Sequence, residues 1–403
     1  MAWLLIGVLL LALGGEDEAI RLNNEGVELL KAKKPAEAVA VFERALKLSP
    51  DQSRIRGNLV SALMDDAVVA LNASRPGDAE PRARRARELA PEDGHVAHVL
   101  GTALYRLEKR EEAEAELKRA VKRDPGNGQA QDLLGTLLYQ KEDLAGAIAA
   151  WEEALKLSPK DEALRERLDK ARREREVEKD FIQSDTGHFR VRFDVSAPRR
   201  PQVVQGVMDL LEDAYNVVGA EFGDFPPGPF TVILYNRSEF EGVTGTHGWV
   251  GGLFDGKIRL PVGDGTAGKL DLRQTVLHEY THALVHRLAP RCPAWLNEGL
   301  AQLLEGRSEA ESLATLRRAK PDELTPVADL PSSFARVPGR DQVTLLYAQS
   351  HAFTAHLART WSRRTLVETL RAMGKSADVA EAFRKAAGAD LADAEKNWKA
   401  TLR

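Results

Sequence analysis

Two histidines one helical turn apart with a glutamate between them, His278-Glu279-Tyr280-Thr281-His282, point most directly to chemistry in this 403-residue chain. At i and i+4 on a helix, both imidazoles leave the same side and reach one metal ion. Glu279 then lies close enough to touch a water on that ion. The chemistry implied is zinc-dependent hydrolysis, with Glu279 as the proton acceptor. Nine histidines and 61 acidic residues would give this pattern by chance roughly 0.03 times in such a chain, so the surrounding sequence must decide.

That context is a helix. Asp271 suits an N-cap, with Gln274 three positions on, and Pro290 provides a stop. Leu272, Val276, Tyr280, Ala283 and Leu284 gather on one face, and His278, Glu279 and His282 occupy the arc beside it. A catalytic zinc site needs a third protein ligand and one open position. His286 continues the i+4 series but lies about 12 Å along the axis from His278, so it reads as a surface residue or a partner of the next helix. Glu298 is the better third ligand. Pro290 and Pro293 force a turn, and an apolar second helix around Trp295-Leu296-Asn297-Glu298-Gly299 doubles back toward the first.

His278-Glu279-x-x-His282 followed by Trp295-Leu296-Asn297-Glu298-Gly299 resembles the gluzincin metallopeptidases, specifically the peptidase MA-like domains of bacteria. The resemblance covers roughly residues 185–403. It implies an α+β zincin-like fold, zinc held by His278, His282 and Glu298, Glu279 as the base, and a peptide or protein substrate. Several gluzincins place an Asp four residues after the glutamate ligand, where it orients the first histidine. Here that position is Gln302, which can accept from an imidazole N–H but lacks a carboxylate's charge. Relatives also stabilise the oxyanion with a Tyr or His from the C-terminal helices. Tyr347 and His351 are the candidates here, four apart on one helix face, with Tyr347 preferred. The strand above the active-site helix pairs with extended substrate in such enzymes, a role that falls here to Trp249-Val250-Gly251-Gly252 or its neighbour.

Ahead of this region the chain repeats. Pro91, Pro125 and Pro159 recur every 34 residues, as do Gly101 and Gly135, Ala113 and Ala147, and Ala120 and Ala154. Gly26, Ala38, Phe42, Ala45 and Pro50 form an earlier copy at the same offsets. These residues resemble tetratricopeptide (TPR) repeats, an all-α solenoid of helical hairpins. One copy is irregular. Pro50 to Pro91 exceeds the period by seven residues, which two extra turns in its first helix, Arg54 to Leu71, would absorb. It also has Ala83 where its neighbours have Phe42, Leu117 or Trp151. About four repeats and a capping helix, over residues 16–182, imply a concave face for a protein partner. Residues 183–403 make the second domain.

Composition agrees with a multidomain globular chain: 43% apolar and 29% charged residues. A net charge of −4 argues against a dedicated nucleic-acid binder. A single cysteine, Cys292, allows no intramolecular disulfide and no cysteine-ligated zinc, and it has no supporting nucleophile motif. Residues 1–15 open with an apolar run, Met1 to Leu13, short for a membrane span but suited to a signal peptide, with an uncleaved anchor or a mis-assigned start as the alternatives. The signal-peptide reading predicts a secreted or periplasmic protein of the cell envelope, and the anchor reading an anchored one.

In the second domain, His188–Val195 alternates like a strand, 201–219 is helical, and Pro229–Tyr235 is a buried strand. Gly248–Phe254 and Lys257–Val262 flank Asp255-Gly256 as a hairpin. His247 reads as a loop residue, and the pattern from 341 on is mostly helical. Two competing readings stand beside the peptidase: a zincin-like scaffold without activity that works through its repeats, and zinc hydrolysis of something other than a peptide.

Overall fold

The computed structural model describes the chain except residues 1, 197–199, 247–250, 263–268, 320–323, 335–336, 338, 375–377 and 403, and gives the backbone alone for 2–14, 200–201 and 269–271. Its contacts divide the protein into two compact units, Met1–Arg175 and Glu176–Arg403.

The first unit is built of helical hairpins: α1 (Ala2–Lys31) with α2 (Pro35–Leu48), α3 (Ser53–Asn72) with α4 (Pro76–Leu89), α5 (Gly94–Arg106) with α6 (Arg110–Arg123), and α7 (Gly128–Gln140) with α8 (Leu144–Leu157). A further helix, α9 (Glu162–Glu178), follows them, and its last residues belong to the second unit. Helix α3 has 20 residues where α5 and α7 have 13, so the seven-residue excess of the irregular copy is taken up as two helical turns. Glycine lets the paired helices approach. A Cβ on Gly26 would stand 2.6 Å from the Phe42 ring, and one on Gly135 2.5 Å from Trp151. In the irregular copy the residue sixteen before Ala83 is Ala67, and both are fully buried. A small residue at each place keeps the hairpin close where its neighbours combine Gly with a large side chain.

The second unit holds a five-stranded sheet in the order β1-β2-β3-β5-β4. Its strands are β1 (Ile182–Asp185), β2 (Phe189–Phe193), β3 (Phe230–Tyr235), β4 (Leu253–Phe254) and β5 (Ile258–Pro261). The three central strands run parallel, with Val191 opposite Val232 and Leu234 opposite Leu260, and the edges β1 and β4 are antiparallel. Helix α10 (Arg200–Phe222) makes the β2–β3 crossover and α11 (Arg237–Thr244) follows β3. The expected hairpin is present but short. Leu253–Phe254 pairs with β5 across a turn at Gly256, whose φ is +98°, while Gly251 and Gly252 lie outside any strand. His247, Trp249 and Val250 fall outside the described residues.

Helices α12 (Lys269–Leu288), α13 (Ala294–Leu304), α14 (Glu309–Arg318), α15 (Arg340–Trp361), α16 (Arg363–Met373), α17 (Val379–Ala387) and α18 (Leu391–Ala400) complete the unit. Asp271 lies inside α12 rather than before it, because the helix begins at Lys269. Val276, Tyr280, Ala283 and Leu284 are buried as their spacing requires, and Leu277 and Val285 join them. The apolar arc is wider than expected because α12 packs against both α10 and α13.

Candidate metal centre

Helix α12 delivers His278, Glu279 and His282, and α13 delivers Glu298 across the Pro290–Pro293 turn. Glu298 reaches them because α13 lies tightly on α15 as well as on α12. A Cβ on Gly299 would fall 2.0 Å from Thr354 Oγ1 and 2.6 Å from the Ser350 carbonyl oxygen, so only glycine permits this approach.

One ligand atom from each of His278, His282 and Glu298 lies within 4.8 Å of the others. Glu298 Oε2 stands 3.4 Å from His278 Nε2 and 3.6 Å from His282 Nε2. Those separations are long for hydrogen bonds, and Oε2 is buried with no hydrogen-bond partner. They approach the edge of a tetrahedron with metal–ligand bonds of about 2.0–2.2 Å, whose corners stand about 3.3–3.5 Å apart. A buried carboxylate oxygen left without a partner, faced by two imidazole nitrogens at that spacing, fits a zinc ion.

The other nitrogen of each ring is held. His278 Nδ1 is 2.7 Å from Glu305 Oε2, and His282 Nδ1 is 3.0 Å from Asn297 Oδ1. A carboxylate only accepts, so in the neutral ring His278 carries its proton on Nδ1 and presents a lone pair at Nε2. Gln302 does not take this part, contrary to the sequence expectation. Its Nε2 donates to the Glu298 and Tyr347 carbonyl oxygens at 3.2 Å each, bracing α13 against α15. One turn beyond Glu298 the helix points at α15. Two turns beyond, at Glu305, it again faces α12. In the sequence the signal for this contact is a carboxylate seven residues after Glu298.

Electrostatics follow from this packing. Burial opposes the charged form of His278, but Glu298 and Glu305 outweigh it and raise its pKa well above the ordinary value. His282 is raised by the same contest of burial against Glu298. Burial alone would push the Glu298 carboxyl up, yet His282 and His278 hold it well below the carboxylate range. Burial raises Glu279, which is 4% exposed and has Oε2 without a partner.

Glu279 borders a cleft of about 420 Å³ that Gly251, Gly252, His278, Glu305 and Tyr347 also line. A Cβ on Gly252 would meet the Glu279 side chain at 2.7 Å, so the segment before β4 lies directly on the carboxylate. Tyr347 is half-buried, packed edge-on against Phe334, and burial raises its hydroxyl pKa. His351 turns away: it is buried, with Nδ1 2.9 Å from Ser312 Oγ. His286 is exposed at the far end of α12. Burial pushes the Cys292 thiol up, so it holds little thiolate.

Residues 217–403 match the Peptidase MA superfamily. Residues 21–52 and 98–162 match tetratricopeptide repeats, and the lengthened copy lies between these matches. No curated protein matches the chain. Among solved structures, MamA from Desulfovibrio magneticus is similar at 22% identity and a TM-score of 0.29, over 36% of this chain and 78% of that one. YrrB, described as a TPR protein with an unusual peptide-binding site, is 18% identical with a TM-score of 0.27, over 38% and 92%. A Thermobaculum terrenum O-GlcNAc transferase mutant is 16% identical with a TM-score of 0.27, over 57% and 44%. The protein therefore carries a Peptidase MA superfamily domain preceded by TPR repeats.

Proposed function

We propose that this protein is a zinc-dependent peptidase, with His278, His282 and Glu298 as the metal ligands and Glu279 as the general base. The observation that carries this reading is the buried, unpartnered Glu298 Oε2 facing both imidazole Nε2 atoms. A zinc ion there would lower the pKa of a water toward 7 and polarise a carbonyl.

This chain's own residues do the rest. Glu305 and Asn297 fix the two rings through Nδ1, so both Nε2 atoms are turned toward Glu298 Oε2, where they would hold the ion. Glu279, raised by burial, takes a proton from the attacking water and returns it to the leaving amine. Tyr347, with its hydroxyl protonated at neutral pH, donates to the developing oxyanion. The backbone at Gly251–Gly252 lies over Glu279 and offers polar groups to an extended peptide. The contact of Glu305 with His278 Nδ1 supports an active site over an inactive scaffold. The repeats add a concave face for a protein partner, and the apolar Met1–Leu13 run would direct the protein to the cell envelope.

Metal analysis tests the reading. About one zinc per chain is expected in the wild type, and none in Glu298→Ala or His282→Ala. Glu279→Gln should keep its zinc and lose peptide cleavage by at least about a hundredfold. Wild-type protein that takes up no supplied zinc would overturn the proposal.

A further inference from the structure

Two arginines line the same cleft, Arg307 half-buried and Arg340 exposed. Arg307 follows α13 on a turn made by Gly306, whose φ is +82°, and its N–H donates to the Gln302 carbonyl oxygen at 3.1 Å. Arg340 is the first residue of α15. Both line the cleft together with Glu279 and Tyr347. Among the described residues Arg307 Nε is buried with no hydrogen-bond partner, and neither guanidinium forms an ion pair. Arg307 also borders a neighbouring depression lined by Glu305 and Glu311, and pairs with neither. Glu305 is engaged with His278 instead.

A buried guanidinium N–H without an acceptor is costly unless something supplies one. Arginine's fork suits a carboxylate, which accepts two parallel N–H bonds. The charge balance points the same way. A divalent ion with Glu298, Glu279 and Glu305 leaves one negative charge, and the two arginines turn the cleft positive.

We infer that Arg307 and Arg340 recognise a substrate carboxylate, so that this site takes peptides carrying an acidic side chain near the scissile bond or a free C-terminus at it. The inference rests on the peptidase reading for its substrate class, but the recognition itself does not require turnover.

The test is binding to zinc-loaded Glu279→Gln protein, which holds peptide without cutting it. Three dansyl-labelled hexapeptides serve as probes: one with a central Glu and an amidated C-terminus, one neutral with a free C-terminal carboxylate, and one neutral and amidated. One of the carboxylate peptides should bind about ten- to a hundredfold more tightly than the neutral amide, as expected for a charged hydrogen-bonded pair. Which one does so identifies the source of the carboxylate. The advantage should vanish in Arg307→Gln/Arg340→Gln, with zinc content unchanged, and return in part in Arg307→Lys. Equal affinity for all three peptides, or a preference that survives the double variant, would overturn the inference. Cleavage of the same peptides by the wild type separates the two claims. Cleavage without a carboxylate preference sinks the recognition alone, and an arginine-dependent preference without cleavage sinks the peptidase alone.

Discussion

At the scale of single residues, the contrast between Glu305 and Gln302 matters most. Glu305 accepts from His278 Nδ1 and holds the ring, so Glu305→Gln should weaken zinc binding by about ten- to a hundredfold. Gln302 instead ties the Glu298 and Tyr347 carbonyl oxygens together. Gln302→Leu should therefore lower stability by about 1–3 kcal/mol and affect zinc affinity less than Glu305→Gln does. Titration with zinc, run beside thermal melts of both variants, separates the two roles.

The histidines also set a pH dependence. Their folded pKa values lie above the unfolded one. In metal-free protein this stabilisation is complete below the ordinary histidine value of about 6.5 and is lost as pH rises through the raised values. A zinc ion on these residues would have to displace those protons, so its affinity should rise with pH across the same window. Melts with zinc and with a chelator between about pH 6 and 9 should show the metal-free Tm falling and the gain from zinc growing. A zinc gain that shrinks with rising pH would contradict the assignment.

At the scale of elements, the site depends on how closely helices approach. Gly299 lets α13 lie on α15, and Gly299→Ala should cost about 1–3 kcal/mol through overpacking while also shifting Glu298 and reducing zinc content. The repeat half uses the same device. Gly135→Ala would drive a methyl into Trp151, and Gly135→Ala/Trp151→Leu should recover part of the loss, as measured by denaturant midpoints. The pair Ala67 and Ala83 is this compensation already present in the chain.

At the scale of the molecule, the division between the units falls at Arg175–Glu176, ahead of the 182/183 boundary expected from sequence. Glu178, on the last turn of α9, belongs with the second unit. Its carboxylate is buried between Arg192 at 2.8 Å and Arg259 at 3.4 Å, with the Tyr235 hydroxyl also on it. Arg259 is fully buried on β5. Removing one partner of a buried pair costs about 3–5 kcal/mol, so Glu178→Ala should destabilise the C-terminal half by that order. Melting that half from residue 176 and from residue 183 gives a second measurement, with the shorter chain less stable. Among the described residues, no helix is long and apolar enough to cross a membrane.

The sequence by itself determined whatever depends on local period and chain stiffness. The 34-residue repeat, the two added turns of α3, the helix carrying His278, Glu279 and His282, and the proline turn to Glu298 all follow from spacing along one chain. Strands β2 and β3 were legible too, because Phe189, Val191 and Phe193 alternate and β3 is a continuous apolar run. Strand β1 was not, because Ile182–Asp185 is polar and mostly exposed and is a strand only through its pairing with β2. Tertiary structure alone decided which acid meets His278, that His351 is packed against Ser312 while Tyr347 reaches the cleft, and that Glu178 belongs with a strand 81 residues away. Those contacts depend on where separate elements come to rest against each other. Spacing along a chain carries no record of that.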